Sequence, residues 1–188
     1  MKKHYIIATI TLLLYSSIYA HQQAIWQPTK DVVINYEQFI KQLPINSKIK
    51  IRIPQEIISY KNQKVYANVL NKNTQSYFIS FDTTQTCHGA KYCSIGSISG
   101  ELNKNPEIYY DLNNQELTKQ VILDTDLRGY FTPAHAMADY WPSMLVWRQG
   151  NALYTIKWKL PNTTTIQTQA TLMKMLSLIH ISEPTRHV

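Results

Sequence analysis

Between Leu145 and Leu160 the chain carries its most constraining pattern. Two apolar arms flank Gln149-Gly150-Asn151, and the second arm alternates strictly. Leu153, Thr155, Lys157 and Lys159 fall on one side, and Tyr154, Ile156, Trp158 and Leu160 on the other. A period of two with a Gly-Asn turn specifies an antiparallel hairpin, and the aromatic set is expected to face the core. A chain that commits its largest side chains in this way must build a sheet around them. The same period recurs at Lys48–Ile53, where Ile49, Ile51 and Ile53 oppose Lys48, Lys50 and Arg52. That pattern reads as a half-buried strand with a solvated cationic face.

Further strands are expected at Val65–Leu70 and Tyr77–Phe81, joined by the polar turn Asn71-Lys72-Asn73-Thr74, and at Ile108–Leu112 and Gln120–Leu123. Ile95 and Ile98 are out of step for a regular strand, and Gly96 and Gly100 flank them, which suggests a bulge. Thr29 to Leu43 has helical spacing through Val32, Val33, Tyr36, Phe39, Ile40 and Leu43, with Thr29 as cap and Pro44 beyond. After Pro161 the period changes to that of a second helix, capped by Asn162 or Thr163, whose Ile166, Ala170 and Met173 form the expected packing face. Helix, many strands, then helix predicts an α+β domain: a curved antiparallel sheet with helices packed on one face.

The two ends of the chain set the compartment and the domain limits. Met1-Lys2-Lys3-His4 is a basic start, Tyr5–Tyr15 an apolar run, and Ser16-Ser17-Ile18-Tyr19-Ala20 a small-residue exit. That is the layout of a secretory signal peptide over residues 1–20, too short to span a bilayer comfortably. The chain is therefore expected to be exported, periplasmic or secreted. Leu176 to Arg186 resembles the translation of a transposase-type sequencing adapter. Residues 21–175 are then the single exported domain with a truncated closing helix, and 176–188 an adapter-derived tail. Because Pro184 cannot continue a helix, the tail is expected to be poorly ordered beyond Ser182.

Leaving out Lys2, Lys3, Arg186 and Glu183, 16 basic and 11 acidic residues remain, a balance of +5. The excess is spread along the chain without a run of Lys or Arg, so no nucleic-acid partner is expected. Weak association with an anionic membrane surface is the charge-driven partner such a balance allows. The two cysteines, Cys87 and Cys93, have five residues between them around a Gly89-Ala90 turn. In an exported chain this reads as a structural disulfide, since redox pairs sit two residues apart beside a helix start.

Sites of chemistry are sparse. Gly96-Ser97-Ile98-Ser99-Gly100 has Ile98 where a nucleophile elbow needs Ser. Asp124-Thr125-Asp126 opens like a calcium loop, but Arg128 takes a ligand position and His135 stands where a bidentate Glu belongs. His135 and Asp139, four apart, would align on a helix face, yet two ligands leave a zinc site incomplete even with His88 or His21 in view. No metal and no cofactor is implied, and no catalytic residue is assigned. Tyr130-Phe131-Thr132-Pro133 and Tyr140-Trp141-Pro142 bracket this stretch. Tyr130, Phe131, His135, Asp139, Tyr140 and Trp141 are therefore the candidate ligand-binding residues, with plugging one end of the sheet as the competing role of the aromatics.

Cys87-His88-Gly89-Ala90-Lys91-Tyr92-Cys93-Ser94-Ile95-Gly96, then Gly129-Tyr130-Phe131, then Trp147-Arg148-Gln149-Gly150-Asn151-Ala152-Leu153-Tyr154 resembles an uncharacterised exported bacterial domain. Its pattern is a Cys-x-Gly-Ala-x-x-Cys loop, a Gly-Tyr-Phe segment, a Trp/Tyr hairpin and a closing helix, matched over roughly residues 45–175. The resemblance implies the architecture and no known activity. A second Cys-containing segment found after Gly-Tyr-Phe in some members is absent here. The expected function is an exported, non-catalytic binding or envelope-support domain of unknown ligand. The alternatives are a hydrolase using His135 and Asp139, and a thiol-disulfide redox protein using Cys87 and Cys93.

Overall fold

The structure is a computed structural model that describes residues 26–29, 32–33, 48–54, 57–60, 63–137, 139–160 and 164–179. The signal-peptide reading over 1–20 and the tail beyond Ile179 lie outside them. Twelve strands and one helix are described: β1 (Trp26–Thr29), β2 (Val32–Val33), β3 (Ile57–Tyr60), β4 (Val65–Lys72), β5 (Ser76–Asp82), β6 (Ser94–Leu102), β7 (Lys119–Ile122), β8 (Arg128–Thr132), β9 (His135–Met137), β10 (Asp139–Trp141), β11 (Ser143–Gln149), β12 (Ala152–Trp158) and α1 (Thr165–Ile179). The main sheet is open, with strand order β2-β4-β5-β6-β12-β11-β8-β7. Its seven strands from β4 to β7 pair antiparallel, and β2 joins β4 in parallel at one edge. Two small antiparallel pairs, β1-β3 and β9-β10, stand beside it.

The expected hairpin is present. Gly150, at φ +60°, takes the first central position of the β11-β12 turn, where a II′ turn favours glycine. Register then stacks the apolar positions into rows. Ile79, Ile98, Ile156, Leu145 and Phe131 lie opposite one another across five strands, each at most 1 % exposed. In the neighbouring rows Trp158 lies opposite Gly96, while Tyr77 and Tyr154 flank Gly100. A Cβ at Gly96 would stand 2.2 Å from Trp158 Cε3, and one at Gly100 would stand 2.5 Å from Tyr77 Cε1. The missing side chains therefore make room for aromatic rings. The expected bulge is also found: the β5-β6 register shifts between Phe81 and Asp82, and Ile95 reaches the core beside Ile98.

Three expectations need correction. Val32–Val33 is a strand paired with Val65 and Tyr66, not part of a helix, and Trp26–Thr29 pairs with β3. The rest of the segment read as a helix over Thr29–Leu43 lies outside the described residues. Residues 48–53 keep their alternation only in part: Ile49 and Ile53 are buried and Lys48 and Lys50 exposed, but Ile51 is half-buried, Arg52 is buried rather than solvated, and the segment forms no ladder. Ile108–Leu112 is irregular apart from one bridge between Tyr110 and Glu116.

In α1, Thr164 and Gln167 form a capping box. Gln167 N donates to Thr164 Oγ1 (3.2 Å) and Thr164 N to Gln167 Oε1 (2.9 Å). The buried face is Thr168, Leu172, Met175 and Leu176, and Ile166 is exposed. Leu172, Met175 and Leu176 join the core cluster of the sheet, so α1 runs without a break through the position after Met175. The second face of the sheet carries a small cluster of Met144, Val146 and Leu153. Tyr130 packs there with Tyr109 from the connection between β6 and β7.

Candidate functional site

The loops divide between two ends of the sheet. β5 runs from the 73–76 turn to Asp82, β6 from Ser94 to Leu102, and β12 from the Gly150 turn to Trp158. One end therefore holds the 83–93 loop. The other holds the 73–76 turn, the 102–104 turn and the Gly150-Asn151 turn. Along β5 the two are roughly 20 Å apart, at about 3.3 Å per residue.

At the first end Cys87 and Cys93 are disulfide-bonded. His88 (φ +49°) and Gly89 (φ +77°) turn the loop through the left-handed region. Gly89 N donates to Asp82 Oδ2 (3.1 Å), which also accepts from Asn68 Nδ2 (2.7 Å) and Ser80 Oγ (2.8 Å). Asp82 is fully buried; all three donors meet Oδ2, while the buried Oδ1 has no hydrogen-bond partner among the described residues. Lys159 Nζ donates to Lys91 O on the same loop. Burial, with Lys91 adding repulsion and Asp82 opposing, holds the Lys159 amine below the usual lysine range.

The β9-β10 hairpin follows β8 and precedes β11, and so emerges at this end as well. Its register sets Trp141 opposite His135, Tyr140 opposite Ala136 and Asp139 opposite Met137. The four-residue spacing of His135 and Asp139 thus crosses a hairpin rather than one turn of a helix. Tyr130 and Phe131 are adjacent in β8 and point to opposite faces. Phe131 is core, 1 % exposed, whereas Tyr130 lies on the second-face cluster. The two do not share one platform. Among the described residues no three His, Cys, Asp or Glu side chains gather as a metal site. No helix among them is long and apolar enough to cross a membrane.

The other end holds a cleft of ≈ 580 Å³ that the sequence alone did not reveal. One wall is Lys48, Ile49, Lys50 and Arg52 of the 48–54 segment, a strap held by one backbone bond and by tyrosine hydroxyls instead of a ladder. Lys48 N donates to Thr74 O (2.9 Å), Tyr154 Oη to Lys50 O (2.9 Å) and Arg52 N to Tyr77 Oη (3.1 Å). Tyr77 Oη in turn donates to Arg52 O (3.3 Å). Burial raises both tyrosine pKa values above the usual range, so both hydroxyls stay protonated donors. Arg52 Nη2 donates to Gln149 Oε1 (2.9 Å) across the cleft, and the Arg52 guanidinium also acts on the Tyr154 hydroxyl. Lys48, Lys50, Arg52, Gln75, Asn103, Gln149, Asn151 and Tyr154 are the polar residues of the lining, and no carboxylate is among the described residues that line it. The one sequence signal was three cations at period two, which also describes an ordinary solvated face.

A smaller groove of ≈ 270 Å³ lies on the second face, between β12 and the 104–109 segment. Burial and a hydrogen bond to the Glu107 carboxylate push the Tyr109 phenol up to about 12. Burial lowers the Lys157 pKa, against the pull of Glu107 and with the help of Lys104. Comparisons with protein-family models, curated proteins and solved structures find no match to this chain.

Proposed function

We propose that the chain is an exported, non-catalytic binding domain and that the strap-end cleft is its ligand seat. One observation carries this reading. A cleft of ≈ 580 Å³ is walled by a backbone segment that two buried tyrosine hydroxyls hold in place. Pre-organised concavity with a few convergent polar groups is what a binding site requires, and fixing the wall in advance lowers the entropy lost on binding. Export rests on the basic start, apolar run and small-residue exit of residues 1–20. A disulfide between Cys87 and Cys93 is compatible with an oxidising compartment. The likeness of the Cys loop and Trp/Tyr hairpin to an uncharacterised exported bacterial domain belongs to the same proposal. So does an α+β arrangement with α1 against one face of the sheet, which the burial of Leu172, Met175 and Leu176 supports.

The test is a ligand screen read by backbone amide NMR on the secreted protein. Shifts are expected to cluster at Lys48–Arg52, Asn103 and Gln149–Tyr154. Turnover of any substrate that is lost in a His135→Ala variant, with the cleft amides unmoved, would replace the binding domain by a hydrolase.

A further inference from the structure

We infer that the outer edge of β7, with the segment that leads into it, docks an extended peptide strand with cationic ends from another protein. This surface is apart from the cleft, and the inference goes beyond the binding reading above. β7 ends the strand order of the main sheet, so among the described residues no strand pairs with its outer side. The open edge is longer than β7 itself. Leu123 N donates to Leu127 O (2.8 Å), Leu117 N to Tyr109 O (2.8 Å) and Asp111 N to Gln115 O (2.9 Å). The β7-β8 register carries the same phase through Lys119 and Val121. Odd-numbered residues thus turn their backbone groups inward, toward β8 and the 109–111 arm. In an antiparallel ladder the alternate residues face the other way. The N–H and C=O groups of Glu116, Thr118, Gln120 and Ile122 therefore line the outer side, with no partner among the described residues. From 115 to 123 that line runs roughly 30 Å, at about 3.3 Å per residue.

An unpaired row of backbone groups is a template for one more strand. Apolar exposure gathers beside it. Ile108, Tyr110, Leu112 and Ile122 are four of the seven large hydrophobics exposed among the described residues, and Ile122 is 73 % exposed. Charge then selects the occupant. Residues 111–126 hold Asp111, Glu116, Asp124 and Asp126 against Lys119 alone, in a chain of net charge +7. A second copy fits this edge poorly. The fully overlapping two-fold register, Glu116 opposite Ile122 and Thr118 opposite Gln120, sets Lys119 against Lys119 of the second copy. Sliding by two residues sets Glu116 against Asp124 of the second copy. Like charges directly opposite one another destabilise a strand pair. A foreign strand with Lys or Arg at its ends meets Glu116 and Asp124 instead, both exposed, one at either end of the edge. An apolar residue near one of those ends would cover Ile122.

Test the secreted protein by amide NMR and hydrogen exchange, with two acetylated peptides as probes. One is Lys-Thr-Val-Thr-Val-Thr-Val-Thr-Lys, and the other carries Glu at both ends. In the free protein the amides of Glu116, Thr118, Gln120 and Ile122 should exchange fast, and those of Leu117 and Leu123 slowly. The Lys-ended peptide should protect the four fast amides. The Glu-ended peptide should bind roughly 3- to 10-fold more weakly, as two exposed charge pairs imply. Gln120→Pro removes an outward N–H and leaves the bonds to β8 in place, so it should abolish binding. A second variant, Asp124→Lys/Asp126→Lys, keeps every backbone donor and should shift the preference toward the Glu-ended peptide. Protection of the four amides before any peptide is added overturns the inference, because the edge is then already covered. Equal affinity in a folded Gln120→Pro variant overturns it, as does a peptide preference that the charge reversal leaves unchanged. Protection that appears with rising protein concentration alone assigns the edge to a second copy and overturns the foreign strand. Peptide shifts confined to the cleft also overturn the edge, while leaving the cleft as a ligand seat.

Discussion

Tyr77 is 2 % exposed, lies over Gly100 and still delivers its hydroxyl to the strap, where it accepts from Arg52 N and donates to Arg52 O. Tyr77→Phe removes both contacts and should destabilise the protein by about 1–3 kcal/mol in urea denaturation. The same hydroxyl sets an alkaline limit. Burial raises the folded pKa of Tyr77 and Tyr154, so above pH 10 the unfolded chain ionises first and binds fewer protons. Stability from these groups is complete below pH 10 and is lost as pH climbs toward their folded values. Lys157 and Lys159 act oppositely: their folded pKa values are lowered, so stability rises with pH up to about 10.5, the free-lysine value. Denaturation midpoints between pH 8 and 11.5 should hold or rise and then fall past 10, with a shallower fall in Tyr77→Phe. An identical fall in that variant would show that Tyr77 is not the source. Gly96→Ala is the harsher change. Its Cβ meets Trp158 Cε3 at 2.2 Å and the Lys157 carbonyl at 2.6 Å, and about 1–3 kcal/mol of overpacking should follow. The sequence marked Gly96 and Gly100 as bulge neighbours. Their service to Trp158 and Tyr77 was not legible, because the rings come from strands whose pairing no local pattern encodes.

Elements were legible where a period and a boundary agreed, and less so where only the period spoke. β4, β5, β7, β11 and β12 lie close to where alternation and turn residues placed them. Residues 48–53 show the limit. Alternation reported the burial of Ile49 and Ile53 but not that of Arg52, and whether the backbone joins a ladder depends on what stands beside it. Here tyrosine hydroxyls from β5 and β12 take the strap's polar groups. In α1 two stripes at helical spacing compete. Ile166, Ala170 and Met173 make one, while Thr168, Leu172, Met175 and Leu176 make the other, and the second is buried. Leu176, just past the position where the sequence reading closed the domain, lies in that buried stripe. Leu172→Ala is therefore expected to cost about 2–5 kcal/mol. Ile166→Ala, at an 81 % exposed position, should fall within about 0.5 kcal/mol of wild type. Chemical denaturation of the two variants checks the assignment, and the reverse ranking would restore the expected face. Thr164→Ala should remove the capping box at a cost of about 1 kcal/mol, visible as early loss of helical signal on heating.

At the scale of the whole molecule, neighbouring strands in sequence were readable as hairpins, but the joins that close the sheet were not. β6 pairs with β12 and β8 with β11, and these long-range pairings fix which loops share an end. That is why the aromatic-flanked stretch drew attention in the sequence while the cleft did not: its lining is drawn from four separate segments. The same topology makes a sharp statement about the disulfide. Cys87–Cys93 closes a short loop, which on a chain-entropy account stabilises the fold by about 2 kcal/mol. Its contacts, through Gly89 to Asp82 and through Lys91 to Lys159, belong to the end opposite the cleft. Replacing both cysteines by serine should therefore lower global stability by that amount. Amides at Gly89, Ala90, Cys93 and Ser94 should exchange faster with solvent, the last three being donors within the loop. Amides at Lys48, Leu102 and Asn103, bonded around the cleft, should change only by the global loss, and ligand affinity there should be unmoved. Hydrogen exchange followed residue by residue decides it. If the strap amides open selectively when the disulfide is absent, the two ends are coupled through β5 and β6, and the loop is a support of the cleft rather than a separate clip.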